Sequence, residues 1–526
     1  MTASQGIDRL LEEYKGWYRD STVHEVEGVI SVDEVIARVA SFYEKIRGIV
    51  DWREEHLLRK TAIERILKRR MMIQKFDEDF AEHFLSELVR GGHFPNKRIT
   101  FAKVDEIQTI LEKYVFLFGE SQNKKIEDWL FSIAAVEVEE VLSAPKRERA
   151  LIELMTNDLA EKLEIKERKR QKVYLAQEER VLQIFIAVQR ALLKLDNATI
   201  TFHVLERFYP DWNKPSQETL QYVGANIARL QDNIQNILEH PYAERFYQVA
   251  EKYDTPYLIV HDIISADPEK FSTLLENPQM LEDEIRHAYN RRHSRLRKRL
   301  KRAAFYSTLS IFITKVLLAL SIEIPFEKFI NGDLNFIPIG LSIAVPPMLM
   351  LILVGTVKTT SKENFDRVTV EVMKIIMKRL EKDVYLMAPP KERGGGTLGL
   401  VYGFYTLSFL ISFGLAVWVL TQLNFSIFSI LIFLMFVSLV LFAGTKIRQR
   451  AGELLVEPEQ GTFFYNILDI FSLPMIQVGR WLSGQISRYN VIVFALNFLI
   501  EAPFQIFVEF LDQWRNFLKE KKEEIH

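Results

Sequence analysis

An all-α, polytopic membrane protein with a large helical N-terminal cytoplasmic domain is the fold class this sequence predicts. Two observations predict it. Four apolar stretches, Phe305 to Ile322, Phe336 to Val357, Leu398 to Thr421 and Ser426 to Thr445, crowd the later part of a chain that begins highly charged. Each is about long enough to cross a hydrocarbon core of roughly 30 Å at about 1.5 Å of rise per residue. Before them, apolar residues recur at helical spacing and alternating strand-like runs are scarce.

Bulk composition hides this division. A chain of 526 residues, 48% hydrophobic, 26% charged and of net charge -2, has the composition of an ordinary soluble protein. The absence of cysteine excludes disulfides, thiolate zinc sites, cysteine-ligated clusters and cysteine nucleophiles. Met1 to Arg9 shows no basic run followed by an apolar one, so no cleavable signal is expected and the polar domain should stay where it is made.

Residues 1–197 form the first helical cytoplasmic region. Breaks at Gly91-Gly92-His93-Phe94-Pro95, Ala144-Pro145 and Asp196-Asn197 divide it, and the last marks a soft boundary near 198. The second region, 198–303, contains Leu220, Val223, Ile227, Leu230, Ile234 and Ile237, whose alternating three- and four-residue steps make an a/d seam. Packing on a neighbouring helix of the same domain, or self-association, would cover that seam.

This region ends in a basic juxtamembrane helix carrying Arg286, Arg291, Arg292, Arg295, Arg297, Lys298, Arg299, Lys301 and Arg302. The positive-inside rule puts these cations in the cytoplasm. From Arg291 onward they are also candidates for anionic-lipid contact, since each clustered Lys or Arg gains roughly 1 kcal/mol near a negative leaflet. Nucleic acid is not expected, because no aromatic stacking platform accompanies them.

Residues 304–357 form the first transmembrane hairpin, with the acidic loop Glu323 to Asn335 outside. Lys315 lies deep in its first apolar run, beside a hydroxyl stripe of Ser307, Ser310, Thr314 and Ser321. A lysine at that depth costs about 2.5–3.5 kcal/mol and normally faces a bundle interior or a wet cavity. Glu323 is eight residues on, about 12 Å along an α-helix, too far for a direct pair unless the backbone breaks. Pro346-Pro347 in the second run removes two amide donors and predicts a kinked or broken helix. Lys315, Ser310, Thr314, Pro346 and Pro347 are therefore the candidate transport residues.

The connection 358–397 is basic and cytoplasmic. It should carry an amphipathic surface helix with Phe365, Val368, Val372, Ile375, Ile376 and Leu380 on one side. The second hairpin, 398–445, brings Gly399, Gly403, Ser408 and Ser412 to one helix face at every fourth or fifth position, a helix-packing signal. Residues 446–526 read as interfacial or re-entrant amphipathic helices and a charged tail.

Other constellations are weaker. Asp79 and His83 sit beside Glu78 and Glu82 on a charged helix, where solvated pairs are the rule. Gly394, Gly396 and Gly399 match a dinucleotide fingerprint but follow Ala388-Pro389-Pro390 rather than a strand. No metal, cofactor or catalytic residue is expected. The chain reads as a non-enzymatic, membrane-anchored scaffold of the plasma membrane if bacterial, which binds a partner or organises anionic lipid, with a homo-oligomer permitted. The alternatives are a transporter or channel built on Lys315, and a lipid-handling enzyme using Glu501 and Glu509.

Overall fold

The computed structural model describes residues 4–22, 28–32, 55–73, 76–121, 123–166, 175–331, 335–355, 362–377, 384–389, 395–451 and 463–489, with positions 510, 514, 517 and 521. The chain is nearly all helical and divides into two compact units. One unit comprises 4–250, 380–389 and 495–526; the other comprises 1–3, 251–379 and 390–494.

The first unit contains α1 (Gln5–Thr22), α2 (Glu55–Ile73), α3 (Phe80–Arg90), α4 (Phe101–Glu120), α5 (Lys124–Leu142), α6 (Lys146–Lys162), α7 (Gln177–Leu192), α8 (Asn197–Phe208), α9 (Gln217–Ala225) and α10 (Ile227–Leu238). Short polar residues start several of these helices. Thr100, Asn123, Asp196 and Ser216 each accept a bond from a first-turn amide, and such a cap contributes about 1 kcal/mol.

The core runs from Ile63 and Leu67 on α2, through Phe80 and Phe84 on α3 and Ile107 on α4, to Ala134 and Val138 on α5. It includes Ile200, Phe202, Val204 and Leu205 of α8, so no unit boundary falls near 198. The expected seam is split between α9 and α10 at Asn226, whose side-chain amide donates to the Tyr222 carbonyl at 2.9 Å. Val223, Ile227 and Ile234 are buried in the same core, with Leu220, Leu230 and Ile237 packed against it. Internal packing therefore consumes the face that self-association would need.

One departure from the all-α expectation is a two-stranded parallel pair, β1 (Leu163–Ile165) with β2 (Tyr385–Met387), in which Leu163 aligns with Tyr385 and Ile165 with Met387. Three-residue strands carry too little periodicity to be read from sequence. Through β2, the connection after the second apolar helix contributes a strand to the N-terminal unit.

α11 (Ala243–Ala266) crosses the division between the units. The second unit continues with α12 (Pro268–Leu274), α13 (Pro278–Leu318), α14 (Phe336–Gly355), α15 (Lys362–Ile376), α16 (Gly395–Gln422), α17 (Ile427–Ala451) and α18 (Phe463–Tyr489). Among the described residues, four helices are long and apolar enough to cross a membrane, at Pro278–Phe329, Phe336–Gly355, Gly399–Gln422 and Ile427–Arg450. Their apolar side chains are largely exposed on the isolated chain, among them Phe312, Leu317, Met348, Leu351, Leu410 and Leu431. Such a surface needs a lipid or protein cover.

Pro346 and Pro347 do not break α14. Both lie on its buried face with Ser342 and Met350, inside one continuous helix. α15 is amphipathic as expected, yet its Val368, Val372 and Ile376 are fully buried and it packs on α13. There Tyr289 accepts a bond from Asn364 at 3.1 Å and meets the Phe365 ring edge-on.

α18 packs along α17 and also against α16. A Cβ at Gly479 would stand 2.0 Å from the Ser438 carbonyl oxygen of α17, so only glycine admits this approach. The segment 490–511, including Glu501 and Glu509, lies outside the described residues except for Phe510.

Candidate functional site

The apolar helices surround one buried ion pair. Lys315 and Glu323 are both at 0% exposure, and the Lys315 ammonium donates to Glu323 Oε1. In an unbroken α-helix, residues eight apart are turned about 80° from each other. Here Ala319–Glu323 is π-helical, and its extra residue per turn brings Glu323 back beneath Lys315.

Neighbouring helices complete the site. Ser342 Oγ of α14 donates to Glu323 Oε2 at 3.3 Å, and the Lys315 ammonium lies 5.0 Å from the Phe436 ring centroid of α17. A second π-helical segment, Glu327–Asn331, carries Glu327, which accepts bonds from Ser426 Oγ and, at 3.0 Å, from Ser429 Oγ. Ser426 also caps α17 through the Ser429 amide.

The predicted transport residues are only partly brought together. Lys315, Pro346 and Pro347 face inward, whereas Ser310, Thr314 and Ser321 are exposed. The hydroxyl stripe of α13 thus faces away from the lysine. The hydroxyls that do serve the acids, Ser342, Ser426 and Ser429, come from other helices and share no spacing with Lys315.

At the other end of the apolar part of α13 lies the basic run. Arg291 pairs with Glu284 at 3.0 Å, and Arg292 and Arg295 converge on Asp262 at 3.0 and 3.1 Å. Arg297, Lys298, Arg299, Lys301 and Arg302 are exposed and have no carboxylate partner among the described residues. The lipid-contact candidates therefore divide: the first three hold the helix to its own unit, and the last five form a collar facing outward.

Of the helix-packing candidates, Ser408 and Ser412 are buried, with Ser412 Oγ donating to the Ser408 carbonyl at 2.7 Å. Gly399 and Gly403 are exposed, and a Cβ at either meets nothing within 4 Å. Asp79 and His83 are exposed, in keeping with a solvated pair.

A further buried network escaped the sequence reading. Lys113 Nζ donates to Glu137 Oε1 at 2.6 Å and to the Trp212 carbonyl at 2.8 Å, while Tyr114 Oη and Trp212 Nε1 donate to Glu137 Oε2 at 2.7 and 3.2 Å. Burial lowers the Lys113 pKa and raises those of Glu137 and Tyr114, the last well above its ordinary value. The four residues clamp the loop holding Trp212 onto α4 and α5, a structural task. Their separations in sequence, up to 99 residues, leave no local signal.

No protein family, curated protein or solved structure matches this chain.

Proposed function

We propose that this protein is a membrane-anchored helical scaffold whose α13 collar binds anionic lipid headgroups and whose N-terminal unit is held at the cytoplasmic face for a protein partner. The observation that carries the reading is a contrast along α13. Lys315, the deep lysine a cargo would need, is consumed by Glu323, whereas Arg297, Lys298, Arg299, Lys301 and Arg302 remain without a carboxylate among the described residues. Each such cation gains roughly 1 kcal/mol beside an anionic leaflet, so the collar favours association by several kcal/mol.

Orientation has two supports. Basic residues concentrate before the first candidate span and in 358–397, the pattern of cytoplasmic segments. The pairing of β2 with β1 also argues that the segment following two candidate spans returns to the N-terminal unit's side. Native mass spectrometry of the detergent-purified full chain tests the lipid reading. Retention of phosphatidylglycerol over phosphatidylcholine is expected, with the preference lost when the five collar cations become Gln. Equal retention of both lipids by the native chain would dismiss it.

A transport reading is favoured by one observation, the two acids on π-helical turns with hydroxyl partners, Glu323 with Ser342 and Glu327 with Ser426 and Ser429. π-turns frequently occur at functional sites. Proton or ion flux in proteoliposomes that is abolished by Glu327→Gln would establish it over the scaffold.

A further inference from the structure

The N-terminal unit holds a second polar cluster that the membrane reading leaves unused. α8 presents His203 and Glu206 one turn apart, and Glu140 faces them from the C-terminal turn of α5. One ligand atom from each residue lies within 4.8 Å of the others. The chain has no cysteine, so the donor set is one imidazole nitrogen and two carboxylates.

The hydrogen-bond network defines what His203 needs. Gln189 donates its amide nitrogen to the Phe185 carbonyl at 3.3 Å, which turns its amide oxygen toward His203 Nδ1. His203 Nδ1 is therefore the N–H that donates to Gln189. The other nitrogen, Nε2, faces a Glu140 carboxylate oxygen at 2.6 Å. A neutral imidazole has one N–H and cannot serve both oxygens. A cation, either a second proton or a metal ion, belongs between Nε2 and the carboxylate.

The rest of the site favours the metal. The His203 side chain is 6% exposed and its orientation is set by Gln189, the arrangement in which metal-bound histidines are held by a second partner. Glu206 converges as a second carboxylate, although a lone proton on His203 would need only Glu140. A cleft of about 210 Å³ reaches the cluster and is lined by Glu140, Arg149 and Glu206. Arg149 spans the two carboxylates, bonding Glu140 and, at 2.7 Å, Glu206. Its side chain is 40% exposed, so the guanidinium can leave toward solvent and be replaced.

We propose that Glu140, His203 and Glu206 form a binding site for a divalent transition-metal cation, in which Arg149 is the counter-cation of the metal-free state. Small side-chain rotations bring three donors to about 2.0–2.2 Å of one ion, the range for zinc with nitrogen and oxygen ligands. A mixed imidazole and carboxylate set suits zinc, cobalt or iron over calcium. The sequence trace of the site is a His-x-x-Glu spacing on α8, the reverse of the Glu-x-x-His order of carboxylate-bridged bundles, with the third ligand 63 residues earlier.

The test is titration of the full chain, purified in detergent without a histidine tag, with Co²⁺ and Zn²⁺. Saturable visible Co²⁺ absorption at one ion per chain, bleached by Zn²⁺, is expected, together with a rise in thermal midpoint on adding Zn²⁺. Glu206→Gln, a change at a partly exposed position, should abolish the saturable signal. Gln189→Ala should weaken Co²⁺ binding by roughly tenfold or more, and Arg149→Gln should tighten it several-fold by removing the competing cation. Absence of stoichiometric binding in the native chain, or binding unchanged in a folded Glu206→Gln variant, would overturn the site and leave Glu140, His203 and Glu206 as a hydrogen-bonded cluster bridged by Arg149.

Discussion

Glu323 lies directly beneath Lys315 although it stands eight positions further along the chain, and both are fully buried. The π-helical turn between them converts a costly lone charge into a neutral pair that touches three helices. Breaking a buried pair by removing one partner typically costs about 3–5 kcal/mol, whereas replacing both with apolar groups is often neutral or stabilising.

That asymmetry defines the first prediction. Lys315→Met alone should destabilise the detergent-solubilised protein, because Glu323 is left buried without its cation. Lys315→Met combined with Glu323→Leu should recover most of the loss. Thermal unfolding of the native chain, both single variants and the double variant completes the cycle; additive losses would deny the coupling.

A second prediction contrasts glycines. Gly479→Ala places a methyl 2.0 Å from the Ser438 carbonyl and should force α18 off α17, with a loss on the order of 2–3 kcal/mol or more. Gly399→Ala and Gly403→Ala meet open space and should be neutral or slightly stabilising within a helix. Unfolding in detergent ranks the three. Equal sensitivity would reverse the assignment of the packing face.

Third, Glu139 makes stability pH-dependent. Burial raises its carboxyl to about 7, outweighing the Arg59 guanidinium that donates to it at 2.9 and 2.7 Å; Glu140 and Glu148 add to the rise. The folded state therefore holds this proton more tightly than the unfolded chain. Its contribution is complete below the ordinary carboxylate range and is lost as pH rises through about 7. Between about pH 5 and pH 8, native stability should fall by on the order of 2–3 kcal/mol at this site. Glu139→Gln should flatten that decline. Urea unfolding followed by circular dichroism at both pH values measures it, and parallel declines in the two proteins would refute it.

The fourth prediction concerns orientation. The chain lacks cysteine, so single cysteines report without background. An impermeant thiol reagent should label Asn331→Cys but not Leu386→Cys in intact cells, although Leu386 is exposed on the isolated chain. The reverse pattern would invert the proposed topology.

The basic run before Phe305 and the turn at Gln422 to Phe425 were legible as sequence because each depends on neighbours along the chain. Helical periodicity, the four apolar stretches and the amphipathic character of α15 are of the same kind, since hydrophobic length and 3.6-residue spacing are local properties. The two prolines of α14 predict a kinked or broken helix, and the break does not occur: Pro346 and Pro347 lie on the buried face of one continuous helix.

Tertiary structure alone decided which polar groups meet. The Lys315–Glu323 pair depends on a π-turn that no residue pattern announces. The hydroxyls beside Glu323 and Glu327 come from other helices, and the Glu140–His203–Glu206 cluster joins α5 to α8. The face of the third apolar helix that packs was likewise settled by shape, with Ser408 and Ser412 buried and Gly399 and Gly403 outside. Sequence by itself determined the helices and their affinity for an apolar environment, which follow from local backbone preference and burial. Pairing of distant charges follows from which side chains the packed helices bring within hydrogen-bond distance, and that is fixed only when the chain is folded.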